Sequence, residues 1–115
     1  MATEYQKFGL AKDNDLTFLL WKRLETVDIS EYQAQLHFED SICISIEGEC
    51  KLDKKTIEYA ELRQLIGSSV SGVTSQDEGV TNVFFADGKR LSILDSNSPN
   101  YESYQITAPG ITIVV

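Results

Sequence analysis

The sequence predicts an α+β domain built mainly on antiparallel β-sheet, or on a partly open barrel, and three observations predict it. Several runs alternate apolar and polar residues with the period of two that marks a half-buried strand, most clearly Ile42-Cys43-Ile44-Ser45-Ile46. Asp87-Gly88 joins the β-rich runs Val80–Phe85 and Lys89–Ile93, and Asp-Gly is a strong hairpin signal because a type I′ turn needs positive φ at both central positions. Finally, a helix-strand-strand pattern occurs twice and is followed by a C-terminal hairpin. A chain of 115 residues has room for one core, so a single domain over 15–115 is expected.

The elements follow in order. Residues 1–14 are polar and mixed in charge, which predicts a flexible start with at most a short edge strand around Tyr5 to Leu10. Asp15 can accept hydrogen bonds from a first helical turn, and Leu16, Leu19 and Leu20 share a stripe flanked by Phe18 and Trp21, so a helix is expected over 15–22. Leu24 to Ile29 reads as a strand with Val27 and Ile29 inward. In Tyr32 to Phe38, Tyr32, Ala34, Leu36 and Phe38 share the apolar face. A turn at Glu39-Asp40-Ser41 leads into the Ile42–Ile46 strand, Gly48 ends it, and Glu49 to Lys55 reads as a charged connector. Thr56 can cap a helix over 56–66, with Gly67 placed where helices stop in the left-handed conformation. A strand from Ser68 to Thr74, a polar loop Ser75–Gly79 and the Asp87-Gly88 hairpin come next. After a Ser/Asn/Pro loop over 95–100, Tyr101 to Ile106 alternates again, Ala108-Pro109-Gly110 turns, and Ile111 to Val115 closes the chain.

Sliding one half onto the other reveals the repeat. Leu16, Leu19, Leu20, Leu24 and Val27 meet Leu62, Leu65, Ile66, Val70 and Val73 at a shift of 46. Leu36, Phe38, Asp40, Ser41, Ile44 and Ile46 meet Val83, Phe85, Asp87, Gly88, Leu91 and Ile93 at a shift of 47. Apolar matches come cheaply, but the paired Phe-x-Asp-(Ser/Gly) turns favour duplication. Repeat one then covers about 15–48, repeat two about 56–95, and the hairpin about 101–115. Leu65-Ile66-Gly67-Ser68-Ser69-Val70, Phe85 to Ile93 and Tyr101-Glu102-Ser103-Tyr104 together resemble a family of small bacterial domains of unknown function, with Leu-x-Gly-x-x-Val and Phe-x-Asp-Gly-x-x-Leu-x-Ile segments often in two copies. The first copy departs from that pattern, with Trp21 and Ser41 in place of the two glycines. The resemblance implies a fold and no activity; some similar domains look like immunity or partner-binding proteins.

Composition narrows the functional classes. The net charge of −8 is shared evenly, seven Lys/Arg against eleven Asp/Glu in residues 1–57 and three against seven in 58–115, so no acidic face is singled out. No basic stripe suits nucleic acid, and no apolar run approaches the roughly 20 residues that span a bilayer. Cys43 and Cys50 without a signal-like leader point to the reducing cytoplasm and free thiols, and two cysteines with one histidine cannot close a zinc site.

Candidate chemistry is thin, and neither catalytic residues nor a cofactor are assigned. His37 can serve as a base and Cys43 as a nucleophile, and a hairpin turning at Asp40-Ser41 leaves it open whether they are cross-strand neighbours, which frames a small-molecule-binding or hydrolytic alternative. A solvated cross-strand histidine is the plainer reading. Glu47, Glu49 and Asp53 offer oxygen ligands but lack the spacing of a calcium loop, and the glycines form no phosphate loop. Trp21, Tyr101, Glu102 and Tyr104 are the candidate interaction residues, since aromatic side chains with polar tips suit interfaces. Ile111 to Val115 is apolar on both faces and carries no gatekeeping charge, so it must pair centrally or be covered, in one reading by a second copy. A non-enzymatic protein-binding domain, of which an acidic immunity-type protein facing a basic toxin is one version, is the preferred expectation.

Overall fold

The computed structural model describes residues 17–75, 80–94 and 104–114. Ten strands form two five-stranded antiparallel sheets. The first has the order β1 (Leu24–Ile29), β2 (Ala34–Phe38), β3 (Ile42–Ile46), β9 (Tyr104–Ala108), β10 (Ile111–Val114). The second has the order β5 (Lys55–Thr56), β4 (Cys50–Leu52), β8 (Arg90–Ile93), β7 (Thr81–Phe85), β6 (Val70–Ser75). The alternating runs do what their period dictates. Ala34, Leu36, Phe38, Ile42, Ile44, Ile46 and Ile106 from one sheet join Cys50, Leu52, Val83, Phe85, Leu91 and Ile93 from the other in a single buried cluster.

Several expectations change. Both predicted helices are 3-10 segments, Thr17–Leu19 and Tyr59–Leu65. Thr56 does not cap the second; it pairs with Lys51 in β5, while Glu58 and Glu61 form a capping box at Tyr59. Their buried leucines, Leu19, Leu62 and Leu65, plug the core, so packing rather than α-propensity holds these turns. The supposed connector at 49–55 is a hairpin. Cys50 and Leu52 are buried, and Asp53 and Lys54 have φ of 51° and 73°, the two left-handed positions of a type I′ turn. At Asp87-Gly88, by contrast, only Gly88 has positive φ, and the loop has three residues closed by Phe85 N–H donating to the Lys89 carbonyl at 2.9 Å. In β1, Leu24 and Val27 are both buried because a bulge between Leu24 and Thr26 shifts the phase by one residue. Tyr32 is 76% exposed at the tip of the β1–β2 connection instead of facing inward. The sheets do not close into a barrel; besides the shared core, an antiparallel bridge between Arg23 and Ser69 links them at one corner.

Around that corner the hydrogen bonds come in pairs related by the 46-residue shift. Trp21 N–H donates to the Val70 carbonyl at 2.7 Å, and Gly67 N–H to the Leu24 carbonyl at 2.8 Å. Leu24 N–H donates to the Ser68 carbonyl and Val70 N–H to the Lys22 carbonyl, both at 3.0 Å. Farther out, Glu39 N–H to the Arg23 carbonyl is matched by Ala86 N–H to the Ser69 carbonyl. The bulge between Leu24 and Thr26 has its counterpart between Val70 and Gly72. Strand order adds a further correspondence. The β4–β5 hairpin follows β3 but joins β8 in the second sheet, and the β9–β10 hairpin follows β8 but joins β3 in the first. The C-terminal hairpin, expected to be unrepeated, therefore has a topological partner, and each half hands its last hairpin to the other half's sheet.

Candidate functional site

Trp21 lies on this corner, just after the Thr17–Leu19 turn. Its backbone has φ of 67° and its side chain is 68% exposed. A left-handed conformation is unusual for a bulky residue, because Cβ approaches the following carbonyl. At the equivalent position of the other half sits Gly67, with φ of 93°. The corner thus demands positive φ at both places, and Trp21 meets the demand against its own preference. Its neighbours Leu20 and Lys22 line a shallow, mainly apolar groove with Phe18, Ile42, Ala108 and Pro109. An ion pair between Lys22 and Asp40 ties the groove's rim to the first hairpin loop. That loop holds Asp40 and Ser41 at φ of 63° and 64°.

The other expected interaction residues are not gathered here. Tyr101 and Glu102 lie outside the described residues, and Tyr104 opens β9 opposite Ile46.

His37 and Cys43 are register partners on β2 and β3, because the connection between the strands spans the three residues Glu39, Asp40 and Ser41. On the far side of His37, Asp28 of β1 brings its carboxylate within 3.0 Å of Nε2, although the two are not aligned for a hydrogen bond. Three strands therefore bring Asp28, His37 and Cys43 together on the outer face of the first sheet, with Asp28 reaching His37 diagonally because the register partner of His37 on β1 is Thr26. The electrostatics work against a nucleophile. Burial pushes the Cys43 thiol up, a Ser45 hydroxyl 3.9 Å away offsets this in part, and the Asp28 charge raises it further. Cys50 is core: burial, with the Glu49 and Glu61 charges, pushes its thiol from 9.0 to about 11. Asp53, weighed above as a calcium ligand, instead accepts a hydrogen bond from Arg90 N–H at 3.0 Å and fixes the β4–β8 edge. Among the described residues, no three His, Cys, Asp or Glu side chains converge on a metal position.

One feature the sequence reading missed is on the outer face of the second sheet. There Lys51, Lys54 and Arg90 surround a depression of about 270 Å³ whose floor is Asn82 and Ser92 and whose wall includes Val80 and Leu94. Lys51 and Lys54 were hidden in the presumed connector, and only the pairing of β4 with β8 brings them beside Arg90.

No protein-family model matches the chain, and neither a curated protein nor a solved structure matches it. Among the described residues, no helix is long and apolar enough to cross a membrane.

Proposed function

We propose that this chain is a non-enzymatic cytoplasmic domain that acts by binding another protein through the surface around Trp21. The observation that carries the reading is the exposed Trp21 side chain on a left-handed backbone, at a place where the other half uses glycine. Solubility and backbone conformation both disfavour tryptophan there, and residues kept against local preference concentrate at functional sites. Tryptophan is also among the side chains most enriched at interface hot spots. The adjoining groove offers apolar surface for the rest of a contact. The net charge of −8 favours a cationic partner, as in an immunity-type protein facing a basic toxin.

The matched hydrogen bonds, matched bulges and exchanged hairpins support descent from a duplicated unit, which is the basis of the resemblance to small bacterial domains with doubled hairpin segments. In a duplicated scaffold, positions that both copies share serve the fold, and positions where they differ are free to serve a partner.

The test is affinity capture from the source cell with the wild-type domain and with Trp21→Gly as baits. A protein retained by the first and lost from the second supports the reading. Capture of nothing by the wild type, or equal capture by both, overturns it. A hydrolytic reading through His37 and Cys43 is favoured by the 3.0 Å approach of Asp28 to His37 and opposed by the raised Cys43 thiol. Full function after His37→Ala with Cys43→Ala removes it.

A further inference from the structure

We propose that the outer face of the second sheet binds the phosphoryl group of a small phosphorylated molecule, held by Arg90, Lys51 and Lys54. Register builds the site: Lys51, Ser92 and Asn82 are paired in one row across β4, β8 and β7, and Arg90 lies two residues from Ser92 on the same face. Three of the chain's ten basic residues line this one depression in a protein with eighteen acids. Among the described residues, none of the three side chains has a carboxylate partner. The nearby Asp53 carboxylate is engaged by the Arg90 backbone N–H.

The polar floor presents donors. Ser92 Oγ donates to Asn82 Oδ1 at 2.6 Å, which turns the amide so that its nitrogen is the group left to donate, with one long contact of 3.4 Å to Thr74. Among the described residues, buried Arg90 Nε has no hydrogen-bond acceptor, and a buried guanidinium nitrogen is costly to leave unpaired. A surface made of donors and positive charge calls for an anion. A planar guanidinium fork with two flexible ammonium groups suits the several oxygens of a phosphoryl group better than a single carboxylate. Val80 and Leu94 give an apolar wall for an organic remainder, and a volume near 270 Å³ limits the ligand to a small one. The first sheet has no such site. Its equivalent positions carry Cys43 for Arg90 and Gln105 for Lys51, so the charge is a property of the second face alone.

The experiment is titration of the full chain, followed by amide and arginine side-chain NMR and by thermal shift, with inorganic phosphate, with glycerol phosphate and with vesicles containing phosphatidic acid. Saturable, salt-sensitive shifts at Arg90, Lys51 and Asn82 are expected with glycerol phosphate, and weaker ones with phosphate. Arg90→Gln should weaken binding at least about tenfold, the effect of losing one charged hydrogen-bonding group. Because Arg90 is partly buried, Lys51→Gln with Lys54→Gln is the second variant and should do the same. Arg63→Gln, an exposed charge on the Tyr59–Leu65 turn away from both surfaces, should bind as wild type. Absence of shifts with phosphate and glycerol phosphate overturns the proposal, as does unchanged affinity in both variants. Binding to vesicles alone also overturns it, by assigning the face to a lipid surface.

Discussion

Trp21→Gly separates a residue kept for binding from one kept for packing, because the two roles predict different stabilities. A fully buried aromatic covers about 150–250 Å². Trp21 is 68% exposed, so roughly a third of that area is covered, worth about 1–2 kcal/mol at about 25 cal/mol per Å². Against this stands the left-handed backbone at φ of 67°, whose release returns about 1–2 kcal/mol. Glycine's freedom in the unfolded chain takes back about 0.5–1 kcal/mol. The three effects nearly cancel and leave a loss of about 1 kcal/mol or less, whereas removing a buried aromatic costs about 3–5 kcal/mol. Urea unfolding followed by far-UV circular dichroism measures the difference. A loss above about 2 kcal/mol would refute the reasoning, since Trp21 would then be part of the core. The chain has one tryptophan, so fluorescence reads this site directly: solvent-exposed emission in the free domain and a blue shift when a partner covers it.

Three further predictions test other parts of the structure. Gly67→Ala meets nothing within 4 Å but must adopt φ of 93°, so it should cost about 1–2 kcal/mol, whereas Gly72→Ala, in ordinary contact with Phe84 at 3.7 Å, should be neutral or stabilising; the melting temperature should therefore fall for Gly67→Ala, by about 4–8 °C per kcal/mol, and hold or rise for Gly72→Ala. The Cys50 thiol is raised to about 11, so its contribution to stability is fully present below pH 9, fades between pH 9 and 11, and amounts to about 2–3 kcal/mol; the stability profile of Cys50→Ala should lack that slope. β10 is an edge strand with uncharged Ile111-Thr112-Ile113-Val114, while the corresponding edge of the other sheet is the two-residue, lysine-bearing β5. Light scattering at high micromolar concentration should find self-association in the wild type and a monomer for Thr112→Lys; a wild-type monomer rules the contact out.

Much of the architecture was legible where it is local. Period-two runs placed β2, β3, β7 and β8, while the turn left the His37–Cys43 pairing open and the register of β2 on β3 decides it. What escaped was short, irregular or long-range. The β4–β5 hairpin has strands of three and two residues and a type I′ turn made by Asp53-Lys54, without the glycine or asparagine that usually advertises one. A bulge moved Leu24 onto the face of Val27 and broke the alternation by which β1 was read. The leucines at i, i+3 and i+4 could not distinguish an α-helix from a 3-10 turn ending at a sheet corner. The exchange of hairpins was not legible in the sequence, since no local pattern says which sheet a hairpin joins. The basic depression was lost with it: Lys51 and Arg90 are 39 positions apart and meet only through that exchange.

The exchange also determines where this protein can specialise. Around the Arg23–Ser69 bridge each half supplies the hydrogen bonds that complete the other, so a change on one side must suit the backbone of both. Side chains that leave that seam outward are released from the constraint. Trp21 stands where the second half has Gly67, and its backbone obeys the seam while its side chain stays 68% exposed. On the outer faces, His37 and Cys43 occupy one sheet where Phe84 and Arg90 occupy the other, at paired positions of the same ladder. Two matched sheets over one shared core thus present two unlike outer surfaces, one with no lysine or arginine in its strands, the other with Lys51 and Arg90. The proposed protein anchor at the corner and the proposed anion site on the second face therefore draw on different side chains and do not compete within 115 residues.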